Sequence, residues 1–178
     1  MSIIDKTYFA FGFCEIPMTE VSNGYSSELN TSEGASINQY IVFFEREYLN
    51  KILGVAMTEL LYSELAKDPV GEKWQTLKDK LADSTNKISP IANYVYCSYL
   101  HEQEKMLMNR ATAVVDKVEN QSVISNYTKI KQSWDKMVSM NSTFFYWLYT
   151  NKDEYETEEV KFDFTKWAEL LITQNYGL

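Results

Sequence analysis

Basic clusters are missing from this chain. Its lysines fall singly or in interrupted pairs such as Lys78-Asp79-Lys80 and Lys129-Ile130-Lys131, and the formal charge is −8. Binding that works by neutralising phosphates needs a basic stripe, so the sequence argues against that class of nucleic-acid binder. Histidine occurs once, as His101, and glycine only six times, never in a G-x-G or G-K-[ST] phosphate loop. The two cysteines, Cys14 and Cys97, lie far apart and match no metal or redox spacing. They read as buried free thiols of a reducing compartment. No apolar run approaches the ~20 residues a membrane-spanning helix needs. Met1-Ser2-Ile3-Ile4-Asp5-Lys6 has no basic region leading into an apolar one, so no signal peptide is read. The expectation is a protein made in the cytoplasm, and kept there unless a particle carries it out.

What is present is apolar and aromatic. Hydrophobic residues make up 45% of the 178, and 13 Tyr and 4 Trp are more than a small core needs. A chain of this length is most simply one domain, able to bury roughly two thirds of its unfolded surface. Tyr and Trp are also common at interfaces, so some of them are candidates to face a partner.

The first 34 residues differ from the rest. In Phe9-Ala10-Phe11-Gly12-Phe13 the aromatics alternate at period two, as in a strand or extended arm. Turn-rich stretches follow at Ser22-Asn23-Gly24-Tyr25-Ser26-Ser27 and Asn30-Thr31-Ser32-Glu33-Gly34. Residues 1–34 therefore read as an N-terminal extended arm and 35–178 as a helical domain. Ser36 and Gln39 form a capping box for a first helix, whose stripe is Ile37, Tyr40, Ile41, Phe44, Tyr48 and Ile52. Gly54 supplies a left-handed turn, and a second helix with Met57, Leu60, Leu61 and Leu65 stops at Asp68-Pro69.

A short helix near 72–81 carries Trp74, Leu77 and Leu81. Ser89 and Pro90 open the next, with Ile91, Val95 and Tyr99, running to about Met108. Residues 109–122 lack helical periodicity and read as a loop or short β-hairpin arm. A long helix places Ile124, Tyr127, Ile130, Trp134, Met137, Val138, Phe145 and Leu148 on one face, with Asn141 as a polar gap. An acidic, solvated linker over 153–159 leads to a C-terminal amphipathic segment with Phe162, Phe164, Trp167, Leu170 and Leu171. The fold class is mostly α: a bundle of about five helices with an extended N-terminal arm and a second, loop or hairpin arm.

Candidate chemistry is sparse. Cys97 and His101 at i,i+4 can share a helix face, which makes an imaginable dyad and nothing more. His101 with Glu104 lacks the further ligands of a zinc site. Glu45 and Glu47 do not share a face, and the acidic run lacks the spacing of a calcium loop. The reading is of a non-enzyme, with no catalytic, metal or cofactor-binding residue and no cofactor.

The order of the aromatic blocks is the most specific feature. Phe43-Phe44-Glu45-Arg46-Glu47-Tyr48-Leu49-Asn50-Lys51-Ile52-Leu53-Gly54 comes first, then Trp74-Gln75-Thr76-Leu77, then Ser89-Pro90-Ile91-Ala92-Asn93-Tyr94-Val95-Tyr96-Cys97-Ser98-Tyr99-Leu100. Trp134-Asp135-Lys136-Met137-Val138 and a terminal Asn175-Tyr176-Gly177-Leu178 follow. This succession, from about residue 37 onward, resembles the head–tail connector (neck adaptor) proteins of tailed phages that infect Bacteroides-type gut bacteria. Two loops depart from that pattern: the stretch between Trp74 and Ser89 is short, and Ala113 stands where a glycine often precedes the paired valines.

The resemblance implies a helical bundle that assembles as a ring in the virion neck and joins portal to tail. The partners it implies are further copies of the chain, in a ring of roughly twelve to match the portal, the portal protein, and a tail-side neck or hub protein. DNA would be met only in passage, and no membrane would be involved. The arms would make the contacts, through Phe9, Phe11, Phe13, Tyr25, Val114, Val115, Trp167, Tyr176 and Leu178. The acidic surplus would line the channel and keep DNA from adhering. The competing reading is a small acidic phage protein that binds and inhibits a host enzyme. Against it, the densest acids lie in one linker rather than at intervals over a surface.

Overall fold

Among the described residues six α-helices and three short 3₁₀ turns make up the regular structure in a computed structural model. It describes residues 2–10, 12–16, 28–111 and 120–172, with side chains left out at 28–36, 104–111 and 120–126. The helices are α1 (Glu28–Ile52), α2 (Val55–Leu65), α3 (Glu72–Leu81), α4 (Pro90–Ala111), α5 (Asn120–Asn151) and α6 (Trp167–Leu171). Among the described residues no strand forms; one isolated bridge joins Asp83 to Ile88. The fold is mostly α, as the periodicity implies.

The centre is α4, which packs against both α1 and α5. Residues 90–97 are buried without a break, so this stretch is covered on every side. Its start follows the sequence signal. Ser89 Oγ accepts from Ile91 N at 3.1 Å and donates to the Leu81 carbonyl at 2.7 Å, capping α4 while closing off the end of α3. Pro90 occupies the first turn, where its missing N–H goes unused.

The α1 stripe faces inward as its spacing requires: Ile37, Ile41, Tyr48, Leu49 and Ile52 are buried. The helix starts earlier than the capping box implies, at Glu28, so Ser36 lies inside it and residues 28–34 are not an arm. Gly54 turns the chain from α1 into α2 at φ +84°. A Cβ there would come within 2.8 Å of Asp163 Cβ, because the segment before α6 crosses the turn and Asp163 N donates to the Leu53 carbonyl at 3.1 Å.

The N-terminal segment departs most from expectation. Its period-two phenylalanines predict extended chain, yet Lys6–Phe9 and Gly12–Cys14 are 3₁₀ turns. Asp5 caps the first, accepting from Thr7 N at 2.7 Å, and Gly12 takes φ +85°, which breaks any strand. The segment lies on the body: Ile3, Ile4, Tyr8, Phe9, Cys14 and Ile16 are buried. Glu45 of α1, itself buried, accepts from Ile3 N at 2.9 Å, Ile4 N at 3.0 Å, Ser2 Oγ at 2.7 Å and Tyr62 Oη at 2.8 Å. One carboxylate thus satisfies four donors, two of them backbone groups that helix or strand would otherwise pair.

The other end is closed by aromatics. Asn141 is no gap in the α5 face: its Oδ1 accepts from Tyr48 Oη and its Nδ2 donates to the Leu170 carbonyl at 3.0 Å. Trp167 Nε1 donates to the Ile52 carbonyl at 2.7 Å, and Trp134 Nε1 to that of Ile172 at 2.9 Å. These acceptors sit at or just beyond helix C-termini, where carbonyls lack partners within the helix. Phe144, one position from the expected Phe145, is the fully inward ring; Phe145 is half-buried against Trp167 at 4.9 Å between centroids. The acidic stretch is anchored too, since Tyr155 is buried and donates to the Lys73 carbonyl at 3.0 Å.

Candidate interaction surfaces

Of the nine residues expected to meet a partner, three are described. Phe9 and Trp167 are buried within the chain itself, 0% and 3% exposed, so they build the core and offer no surface. A 3₁₀ turn rather than an arm explains Phe9, and the indole bond to α1 explains Trp167. Phe13 is exposed, at 51%. Phe11, Tyr25, Val114, Val115, Tyr176 and Leu178 lie outside the described residues. So do residues 112–119 of the expected second arm, whose flanks 109–111 and 120–122 are helical.

Phe13 stands between two hollows. One, of about 430 Å³, is lined by Gly12, Phe13, Glu15, Tyr96, Lys129 and Gln132. The other, of about 310 Å³, lies toward the α3–α4 connection and includes Lys87, Asn93 and Lys136 in its wall. The lysines are held by rings: Lys136 Nζ is 4.6 Å from the Phe13 centroid and Lys87 Nζ 4.9 Å from that of Tyr8. Lys87 adopts φ +55°, rare for a residue with a Cβ. Among the described residues three lysines and one carboxylate line the pair of hollows, against the acidic balance of the whole chain.

A second surface lies at the far end of α5. Tyr146 is 75% exposed, and Tyr149, also exposed, stacks on Phe145 at 6.0 Å and meets Phe164 at 6.3 Å. Asp153, Glu154, Glu158 and Glu159 follow, all exposed. A third apolar group, Val42 and Phe43 on α1, points outward beside the Arg46–Glu59 ion pair. The sequence carried a signal for these residues. Successive helical positions are ~100° apart, so the runs Phe43-Phe44 and Phe145-Tyr146-Trp147 cannot all face one core.

The interior polar groups are structural. Ser133 Oγ donates to Asn93 Oδ1 at 2.8 Å, Cys14 Sγ donates to the same oxygen at 3.4 Å, and Asn93 Nδ2 donates to the Ser89 carbonyl at 2.9 Å. Both cysteines are buried free thiols, as expected. Burial pushes the Cys14 thiol up to about 11, against hydrogen bonding from Ser133 and the charge of Lys136, and the Cys97 thiol up to about 12. Cys97 Sγ is directed at the Ile130 carbonyl, 3.5 Å away. A nucleophilic dyad with His101 needs a thiolate, which this environment opposes. Among the described residues no group of three His, Cys, Asp or Glu is placed to hold a metal ion, and no helix is long and apolar enough to cross a membrane.

The chain matches no family model, no curated protein and no solved structure.

Proposed function

We propose that this chain is a structural subunit of a phage neck: a head–tail connector that forms a ring between portal and tail and leaves an axial channel for DNA. The observation that carries the reading is the ordered succession of aromatic blocks from Phe43 onward, and its support is the mostly helical body those blocks build. Tyr48, Trp74, Tyr94, Tyr96 and Trp134 form its core, while Phe13, Phe43, Tyr146 and Tyr149 remain outward. Outward aromatics on separate faces suit a subunit with neighbours on more than one side. A closed ring requires that: head-to-tail contact uses two different patches per subunit.

The role is mechanical and calls for no cofactor. The partners are other copies of the chain, the portal and a tail-side neck or hub protein, and the net charge of −8 keeps passing DNA from adhering. The test is gold labelling of purified virions with an antibody to this chain. Label confined to the head–tail junction is expected. Virions that lack the chain altogether would overturn the assignment and favour a host-directed binding protein.

A further inference from the structure

The two surfaces along α5 have opposite character. Around Phe13 are Lys87, Lys129 and Lys136, with Glu15 the one carboxylate among the described lining residues and Asp5 near Lys87. On the last turns of the helix are the exposed Tyr146 and Tyr149, and past its end Asp153, Glu154, Glu158 and Glu159, with Lys152 paired to Asp153. Lys136 and Asn151 are 15 residues apart on one straight helix, about 22 Å at 1.5 Å per residue, and Lys129 is about 10 Å farther. The acidic turn of a chain therefore does not reach its own hollows. Tyr155, buried and bonded to the Lys73 carbonyl, fixes that turn to the body.

We propose that these surfaces are the two halves of one contact between copies: the acidic turn at 153–159 of one subunit, with Tyr146 and Tyr149 beside it, seats in the lysine-lined hollows around Phe13 of the next. The inference rests on the ring reading and names the patches it uses. Charge complementarity selects the occupant, because lysines outnumber carboxylates in the described lining of the hollows and the same chain carries the matching acids. Phe13 supplies an apolar anchor between the hollows, and Tyr146 and Tyr149 supply aromatic area opposite it, the composition of an interface centre. Halves at different points along α5 permit a head-to-tail contact, in which each added copy leaves one half open until the ring closes. Hollows of about 430 and 310 Å³ accept carboxylate side chains without rearrangement of the core.

The experiment is charge reversal with compensation, read by sedimentation velocity alone and on purified portal rings. Lys129→Glu with Lys136→Glu is expected to weaken self-association about tenfold, and Glu158→Lys with Glu159→Lys to do the same. The chain carrying all four changes is expected to regain assembly, which a merely misfolded variant would not. Wild-type assembly that either reversal leaves intact overturns the pairing alone, as does a four-change chain that stays impaired. A wild-type chain that is monomeric at every concentration and on the portal overturns the ring reading beneath it.

Discussion

The two ends of the described chain are fastened to the same helical body by different chemistry. At the N-terminal end a single buried carboxylate, Glu45, collects the backbone N–H groups of Ile3 and Ile4 and the hydroxyls of Ser2 and Tyr62. At the C-terminal end the fastening is a field of rings: Trp167 lies 4.9 Å from Phe145 and 6.1 Å from Phe144, and Phe164 sits 5.8 Å from Phe145. The first attachment adds this one carboxylate to the burial of Ile3, Ile4, Tyr8, Phe9, Cys14 and Ile16. The second is spread over many dispersion contacts and degrades by degrees. Both segments are packed as core; they differ in how their polar groups are satisfied, through one shared carboxylate at the N-terminal end and through separate indole and amide bonds at the other.

Trp167→Ala should have the largest effect. It removes a fully packed indole and leaves the Ile52 carbonyl without its donor, so global stability should fall by about 3–5 kcal/mol in denaturant unfolding. A loss confined to residues 160–172, with the body's midpoint unmoved, would erase the contrast between the two ends. Glu45→Ala should cost about 3 kcal/mol locally, since buried donors are stranded. Hydrogen exchange should then speed up first at Ile3 and Ile4, whose N–H groups lose their acceptor, and leave α4 and α5 protected; uniform acceleration would mean that the carboxylate holds the whole body and not this attachment alone.

Gly54→Ala probes the crossing point of α1, α2 and the C-terminal segment. At φ +84° and with a Cβ placed 2.8 Å from that of Asp163, the change should cost about 1–3 kcal/mol. An unchanged melting temperature would show that the turn relaxes freely.

Alkali should act on the N-terminal segment and on the central α4 at once. Burial pushes the phenols of Tyr8, Tyr94 and Tyr96 up to about 12 from an ordinary 10.0; nearby carboxylates add to this at Tyr8, and at Tyr94 Lys51 opposes it. The fold holds these groups protonated, so their contribution is whole below pH 10, falls as pH rises and is lost through about 12. Stability measured across that window should decline, and tyrosinate absorbance from these three should appear with unfolding rather than before it. The smallest effect concerns the thiols. Cys14 and Cys97 should resist a disulfide reagent at neutral pH until denaturant is added; prompt labelling of Cys14 alone would indicate that the N-terminal segment opens readily.

Much of the helical body was legible because its signals are local. The Ser89–Pro90 start, the Gly54 turn, the α3 boundaries and the α1 stripe each depend on residues within a turn or two of one another. The N-terminal segment was misread because alternating Phe at 9, 11 and 13 mimics a strand. The Asp5 cap and the positive φ of Gly12 override that pattern, and the partner that fixes the segment, Glu45, is 42 residues from Ile3. Asn141 looked like a polar interruption for the same reason: its partners Tyr48 and Leu170 are 93 and 29 residues away. Trp167 looked like a partner-facing aromatic because nothing near it in sequence announces the Ile52 carbonyl. The outward aromatics were legible in part: three successive rings cannot all face one neighbour, although a helix covered on every side, as α4 is over 90–97, buries successive positions.

The most direct test of the central claim is to mix the purified chain with the portal ring of the same virus and weigh the complex by light scattering after co-elution. The account predicts a complex near one copy per portal subunit, stable through the column and weakened by reversing Lys129 and Lys136. A portal that elutes alone, together with a chain that stays monomeric and never enters virions, would contradict it.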